Sequence, residues 1–163
     1  MNSFIYLASQ SPRRRQLLDQ IGVRHELLLP GEDEDAEALE ATRPGELPRD
    51  YVERVTRAKL QAARQRLQRR GLPAAPILCA DTTVALGRRI LGKPADAAEA
   101  VATLTALSGR SHRVLTAVAV FDGRRSQLAV NDSHVKFAVL PHKVITAYVA
   151  SGEPFGKAGS YAI

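Results

Sequence analysis

The chain has 163 residues, 45% of them apolar, and a formal net charge of +6. This length suits one domain, or a domain with a small lobe, and provides enough apolar residues for a sizeable core. No run approaches the roughly 20 apolar residues of a membrane span, and we expect no signal peptide because the N-terminus lacks a basic region and a full apolar one. The single Cys79 excludes an internal disulfide and a multi-cysteine zinc site. We therefore expect a cytoplasmic protein without a membrane partner.

The surplus of basic residues suggests an anionic partner, either nucleic acid or a phosphorylated small molecule. Much of the surplus lies in residues 54–70, which have helical character. A solvated helix face is the ordinary explanation of such a run. Because aromatic residues make up only 5% of the chain and tryptophan is absent, a stacking platform for nucleic acid is poorly supported. The composition therefore favours a small molecule over nucleic acid.

The chain opens with a predicted strand, a loop and a helix. Residues 4–8 are rich in β-formers, and Ser11 as N-cap, Pro12 in the first turn and Gly22 after the last turn delimit a helix. Three arginines occupy the start of this helix, residues 13–15. A helix N-terminus ordinarily prefers acids, so the arginines indicate either a bound anion such as phosphate or a basic turn exposed to solvent. The strand–loop–helix setting favours phosphate.

A second strand is predicted over residues 23–29, and an acidic segment follows at 32–40. Such a segment is usually a solvated loop, but it could supply a carboxylate for a divalent cation beside a phosphate site. The longest helical pattern covers residues 49–71, where apolar residues recur every three or four positions. Lys59 lies within that apolar stripe, so its side chain either extends to solvent or points into a cleft.

Asp81 interrupts the apolar stretch 77–86. Apolar residues on both sides predict a strand buried on both faces. A carboxylate there requires a cation, a metal or hydrogen-bond donors, although an aspartate that caps the turn after the strand explains this stretch equally well. The chain then turns through glycines to Lys93, which precedes a proline.

The rest of the chain continues the alternation of strands and helices. A helix over 96–107 is followed by a strand over 112–121, a turn, a paired strand or strands over 127–140 and a helix over 141–151. The last residue, Ile163, has the character of a strand interior. This alternation, with one antiparallel hairpin, predicts an α/β fold with a mixed sheet.

The polar residues singled out so far form the set that cleavage of a phosphoanhydride requires. Arginines and lysines neutralise the phosphates, a metal bridges their oxygens, and a carboxylate orients or deprotonates water. The sequence contains no GxxxxGK[ST] and no GxGxxG pattern, so it predicts neither a P-loop nor a Rossmann nucleotide site.

Five short segments resemble the Maf family of nucleoside triphosphate pyrophosphatases, also called septum formation proteins, in order and in spacing. They are Ala8-Ser-Gln-Ser-Pro-Arg-Arg14, Ala80-Asp-Thr-Thr-Val84, Leu91-Gly-Lys-Pro94, Leu107-Ser-Gly109 and Lys157-Ala-Gly-Ser-Tyr161. The resemblance implies one domain over residues 1–163, with an elongated mixed sheet flanked by helices and two lobes with a cleft, similar to inosine triphosphate pyrophosphatases. It also implies hydrolysis of a nucleoside triphosphate to the monophosphate and pyrophosphate with a divalent cation, magnesium or manganese, in nucleotide house-cleaning linked to arrest of cell division.

The same resemblance assigns residues to roles. Asp81 matches the proton acceptor, and Glu34 matches an acidic position that helps Asp81 to hold the metal. The implied substrate-binding residues are Ser9, Ser11, Arg13, Arg14, Lys59, Thr82, Lys93 and Lys157. Arg13 and Thr82 match the branch that acts on dTTP and UTP, whereas the 7-methyl-GTP branch carries Trp and Glu at these positions.

In the family, Ile163 would be followed by Gln-Gly and a closing strand–helix segment. We therefore expect the chain to be truncated at its C-terminus, with lower stability and a tendency to associate, for example as a homodimer. The absent Gln is a further specificity position, so the dTTP/UTP assignment depends on Arg13 and Thr82. The alternative functions are a catalytically impaired Maf-like protein that binds nucleotides or regulates division, and a nucleic-acid binder that uses residues 54–70.

Overall fold

A computed structural model of the chain describes residues 4–163. The described residues form a six-stranded mixed sheet with four α-helices, which confirms the predicted α/β class. The strands are β1 (Ile5–Leu7), β2 (His25–Leu27), β3 (Ile77–Leu86), β4 (Arg89–Leu91), β5 (Ser111–Phe121) and β6 (Ser126–Lys136). The α-helices are α1 (Pro12–Gln20), α2 (Pro48–Arg69), α3 (Ala97–Leu107) and α4 (His142–Ala150), and short 3-10 helices cover Glu37–Glu40 and Ala158–Ser160.

The sheet order is β2-β1-β3-β5-β6, with β4 paired to β3. β1 runs parallel to β2 and to β3, so β1, α1 and β2 form a βαβ unit. β4 runs antiparallel to β3. The loop between β5 and β6 is closed by a 3.1 Å hydrogen bond from the N–H of Asp122 to the carbonyl of Arg125. These neighbouring strands therefore form the predicted antiparallel hairpin, which makes the sheet mixed.

The ends of two helices lie where the sequence signals predict them. Ser11 is the N-cap of α1 and Pro12 its first residue, and Gly22, with a φ of +70°, follows its last turn. At the start of α3, Oδ1 of Asp96 accepts a 2.8 Å hydrogen bond from the N–H of Glu99. A side-chain cap thus marks the start of α3, whereas Ser11 makes no side-chain capping hydrogen bond and α1 is delimited by Pro12 and Gly22.

Two expectations about elements are wrong. The sequence pattern does not predict β4, because Arg89–Leu91 has only three residues and forms a strand by pairing with β3 across the turn at Gly87. The predicted strand character of Ile163 also fails, since the 3-10 helix Ala158–Ser160 precedes the chain end and residues 161–163 belong to no strand.

The chain divides into two compact units. The first comprises the described residues up to 44, together with 53–81 and 117–130. Its core lies between α2 and the sheet, where Leu60 and Ile77 are 4% and 0% exposed. Burial of each such side chain contributes about 1.5–3 kcal/mol to stability.

The second unit comprises residues 45–52, 82–116 and 131–163. It contains two apolar clusters, one around Val84 and Leu107 and one around Leu104 and Ile145. Over residues 4–163, no helix combines the length and the apolar character that crossing a membrane requires.

Candidate active site

The loop after β1 lies beside Asp81 because β1 and β3 are parallel neighbours. Their register pairs Leu7 with Leu78, and the N–H of Ala8 donates to the carbonyl of Leu78 at 2.9 Å. β1 ends at this point, whereas β3 continues through Asp81. Ligand sites in open α/β sheets form beyond the carboxyl ends of such strands. The Ser9 loop and Asp81, which the sequence predicts independently, therefore meet in one unit of the fold.

Arg14 connects this loop to β3. Its Nη1 donates to Oγ of Ser9 at 3.0 Å and to the carbonyl of Ala80 at 2.9 Å. Oγ of Ser9 also accepts from the N–H of Ser11 at 3.3 Å. Burial lowers the pKa of Arg14, and the charge of Asp81 opposes that shift. A guanidinium remains protonated in proteins, so the first turn of α1 contributes a fixed, partly buried cation beside this loop.

Lys59 contacts the predicted base directly. Its Nζ donates to Oδ1 of Asp81 at 2.7 Å and to Oε1 of Glu40 at 2.8 Å. The Lys59 side chain is 21% exposed and the Asp81 side chain 13%. Lys59 therefore does not simply extend to solvent from the apolar stripe but turns inward to a carboxylate; a cleft at this position stays a prediction.

The environment of Asp81 favours a proton acceptor. Burial raises the pKa of Asp81, and the nearby charge of Glu40 adds to that shift, while Lys59 and Arg14 oppose it. Burial alone lowers the pKa of Lys59, but the carboxylates of Asp81 and Glu40 outweigh burial and raise it. Lys59 therefore stays an ammonium ion, and Asp81 is a stronger base than an exposed aspartate.

Glu34 accepts hydrogen bonds mainly from arginines of α2. Nε and Nη2 of Arg66 reach its two oxygens at 2.6–3.1 Å, and Nη2 of Arg69 reaches Oε1 at 2.9 Å. Hydrogen bonding to Arg66 lowers the pKa of Glu34 to about 2. Arg66 also donates to the carbonyl of Leu28 at 2.9 Å. Binding of a metal by Glu34 stays a prediction, and in this arrangement it would require Glu34 to exchange an arginine for the metal.

Four further residues were predicted to bind substrate. Arg13 is exposed in the first turn of α1. Thr82, Lys93 and Lys157 belong to the second unit. Oγ1 of Thr82 lies 2.9 Å from Oγ1 of Thr116. Lys93 is exposed, and Nζ of Lys157 donates to the carbonyl of Glu153 at 2.5 Å.

Two charged residues of the first unit were not predicted from the sequence. Glu40 contacts Lys59, but nothing in the acidic segment distinguishes it from its neighbours, so the sequence gives no signal for this contact. Arg66 contradicts the expected solvated face of residues 54–70, since its side chain is only 4% exposed. The sequence did contain a signal that Arg66 faces the interior. Arg66 lies seven positions after Lys59, two helical turns further along the same face of the helix.

Carboxylate placement decides which residue could hold a metal. Among residues 4–163, no three His, Cys, Asp or Glu side chains cluster as a ready-made metal site. Magnesium, however, commonly uses one or two carboxylates together with substrate phosphates and several waters. Lys59 is the only residue among 4–163 that hydrogen-bonds to the Asp81 carboxylate, and it does so at Oδ1. The donor set is therefore compatible with a hard cation that binds together with a polyphosphate.

Comparison with known proteins identifies the class to which this fold and site belong. The family model described as Maf-like protein matches residues 4–163, so the chain belongs to the Maf-like protein family. A dTTP/UTP pyrophosphatase of Albidiferax ferrireducens is 63% identical over 163 residues, which are 100% of this chain and 82% of that protein. Proteins of the same name from Polaromonas sp. and Burkholderia pseudomallei are each 63% identical over 98% of this chain and over 79% and 78% of their own lengths.

Proposed function

We propose that this protein hydrolyses dTTP and UTP to the nucleoside monophosphate and pyrophosphate. Relatives that are 58–63% identical over nearly the whole chain bear the name of that activity. The observation that carries the proposal is the buried Asp81 carboxylate, paired with Lys59 beside the loop that holds Ser9 and Arg14. This arrangement combines a base with cations for an anionic substrate.

Asp81 is the general base of the proposed reaction. Lys59 engages Oδ1 and thereby fixes the carboxylate, so Oδ2 can accept a proton from water. That water attacks the α-phosphorus, the bond from the α-phosphorus to the bridging oxygen breaks, and pyrophosphate leaves. The raised pKa of Asp81 strengthens the base, because proton transfer is most efficient when the pKa of the base is near the working pH.

The cations bind and orient the triphosphate. Arg14 and the N-terminus of α1 present a guanidinium and backbone N–H groups in one loop, and Lys59 adds an ammonium at the base. Lys93 and Lys157 are also proposed to contact phosphate. Positioning and charge neutralisation of this kind account for most of the catalysis in phosphoryl transfer.

A divalent cation, magnesium or manganese, is proposed as the cofactor. When bound, such a cation would supply positive charge to neutralise the charge that develops on the leaving pyrophosphate. Asp81 is the residue that would hold it, because Arg14 joins the phosphate-binding region to the carbonyl of Ala80, the residue before Asp81. Glu34 would join it only after releasing Arg66.

The preference for dTTP and UTP is proposed to depend on Arg13 and Thr82. Arg13 is exposed and therefore accessible to a nucleotide base. The hydroxyl of Thr82 is oriented by Thr116 at 2.9 Å. A hydroxyl with a fixed direction can distinguish the edges of bases through hydrogen bonding, which discriminates more strongly than apolar contact.

The experiment is product analysis with dTTP, UTP and 7-methyl-GTP in the presence of magnesium. The proposal predicts pyrophosphate and the monophosphate from dTTP and UTP, with a much lower kcat/KM for 7-methyl-GTP. Saturable binding of dTTP without any turnover would contradict it and would support the catalytically impaired alternative. Release of orthophosphate with a nucleoside diphosphate would contradict the proposed site of attack.

A further inference from the structure

Glu40 is a partly buried acidic contact of the site that the assigned roles do not include. It is the last residue of the 3-10 helix Glu37–Glu40, within the acidic segment expected to be solvated loop. Its side chain is only 26% exposed, and its Oε1 accepts a 2.8 Å hydrogen bond from Nζ of Lys59. The acidic segment therefore contributes a charge to the interior of the first unit.

Lys59 is held by two carboxylates at once. Its Nζ lies 2.8 Å from Glu40 and 2.7 Å from Asp81, which come from separate segments of the chain. Two carboxylates that share one cation would repel each other if the cation were absent or displaced. The position of Lys59 between them is thus fixed from both sides.

The contact between Lys59 and Glu40 matters because a lysine side chain is long and flexible. Lysine has among the largest rotamer freedom of the side chains, so a single ion pair leaves much of that freedom intact. The second acceptor, Glu40, selects the rotamer in which Nζ reaches Oδ1 of Asp81. In turn, this contact holds the Asp81 carboxylate at its Oδ1.

We infer that Glu40 is a positioning residue, which holds Lys59 in place and through Lys59 orients the carboxylate of Asp81. The inference rests on the proposed function, because it assigns Glu40 to the same reaction. Glu40 does not contact the reacting atoms. Its loss therefore affects the orientation of the base more than the binding of the nucleotide.

The neighbouring Glu37 provides a matched control. It belongs to the same 3-10 helix and carries the same charge, but it is exposed. Glu40→Ala removes the contact with Lys59, whereas Glu40→Gln retains an oxygen that can accept from an ammonium. Glu37→Ala removes a carboxylate from the same short helix without touching Lys59.

The first measurement is kcat and KM for dTTP. We expect Glu40→Ala to lower kcat about tenfold with a smaller change in KM, Glu40→Gln to lie between it and the wild type, and Glu37→Ala to match the wild type. A kcat within twofold of the wild type for both Glu40 variants would overturn the inference. So would a loss confined to KM, because that result would indicate ground-state binding only.

The second measurement does not need turnover. The ammonium protons of Lys59, observed by 15N-edited NMR, should exchange slowly with water in the wild type and in Glu37→Ala, and markedly faster in Glu40→Ala and Glu40→Gln. Unchanged exchange in the Glu40 variants would overturn the inference. If the wild type released no pyrophosphate, the proposed function would fail, while this signal would still decide whether Glu40 fixes Lys59. If Glu40→Ala did not fold, Glu40→Gln would decide both measurements.

Discussion

At the scale of single residues, the burial of Asp81 explains why its carboxylate is paired with a cation in the candidate active site. The sequence predicts that a carboxylate in an apolar strand needs a partner, and it leaves a turn-capping role equally open. The structure excludes the capping role, because Asp81 lies in the middle of β3 and pairs with Lys59. The sequence could not identify the partner from burial alone, since the contact joins residues 22 positions apart. The apolar stripe around Lys59 made that lysine a candidate but did not fix its direction.

Replacement of the proposed base tests its role directly. Asp81→Asn should retain the fold, because the amide is nearly isosteric and its oxygen can still accept from Lys59. It should lower kcat for dTTP by roughly 100-fold or more, since general base catalysis contributes about that much. Steady-state kinetics and circular dichroism of the same preparation provide the measurement. A folded variant with wild-type kcat would exclude Asp81 as the base.

Replacement of Lys93 or Lys157 should weaken activity, whereas replacement of Lys143, also in the second unit, should not. Lys93→Ala and Lys157→Ala should each raise KM for dTTP about tenfold, because loss of a charge-assisted contact to phosphate removes about 1.5 kcal/mol. Lys143, exposed on α4, is the matched control, and Lys143→Ala should leave kcat and KM unchanged. Equal effects at all three lysines would indicate general electrostatics rather than specific contacts.

At the scale of elements, α2 supplies both the core and the charges of the first unit. Its periodicity correctly predicted a long helix with an apolar face, but two charged residues, Lys59 and Arg66, point from that helix into the protein. Arg66 joins α2 to the segment after β2 through Glu34 and the carbonyl of Leu28. The sequence alone could not predict this ion pair, because a hydrophobic pattern does not show where a buried charge finds its partner.

The pair between Glu34 and Arg66 should make stability depend on pH. The pKa of Glu34 is lowered from 4.5 to about 2 in the folded protein, so its contribution is complete above 4.5 and is lost as the pH falls toward 2. Glu34→Gln should reduce the free energy of unfolding by roughly 3 kcal/mol at neutral pH, because Arg66 is left buried without its carboxylate. Urea unfolding across this pH range is the measurement. The exposed Glu32→Gln is the control, and an equal loss of stability there would contradict the account.

The segment after α4 allows a test of the packing between Gly159 and Val84. A Cβ added at Gly159 would lie 2.7 Å from Cγ2 of Val84, whereas one added at Gly156 meets nothing within 4 Å. Both glycines have positive φ, +73° and +74°. Gly156→Ala should therefore cost about 1 kcal/mol from backbone strain alone, and Gly159→Ala about 1–3 kcal/mol more from overpacking. Thermal unfolding compares the two, and equal losses would show that Val84 moves aside freely.

At the scale of the whole molecule, the alternation of strands and helices was sufficient to predict the α/β class. It could not predict β4, which is short and pairs with β3 across a tight turn, or the division of the chain into two units, which depends on contacts between distant segments. For the same reason it could not predict which charges converge on Asp81. The short motifs, by contrast, indicated the family, and the match over residues 4–163 confirms that assignment.

The basic character of α2 is explained in part by contacts within the protein. Arg66 is buried, Arg54 donates to the carbonyl of Ala41 at 2.9 Å, and the guanidinium of Arg64 lies 3.9 Å from the centre of the Phe121 ring. These arginines stabilise the first unit through hydrogen bonds and cation–π contact. The basic run therefore does not by itself favour the nucleic-acid alternative.

The central claim is that water, activated at Asp81, attacks the α-phosphorus of a nucleoside triphosphate. The most direct test is turnover of dTTP in water enriched in oxygen-18, with the products resolved by mass spectrometry. The account predicts one labelled oxygen in the monophosphate and none in the pyrophosphate. Label in pyrophosphate, or formation of orthophosphate and a nucleoside diphosphate, would contradict it.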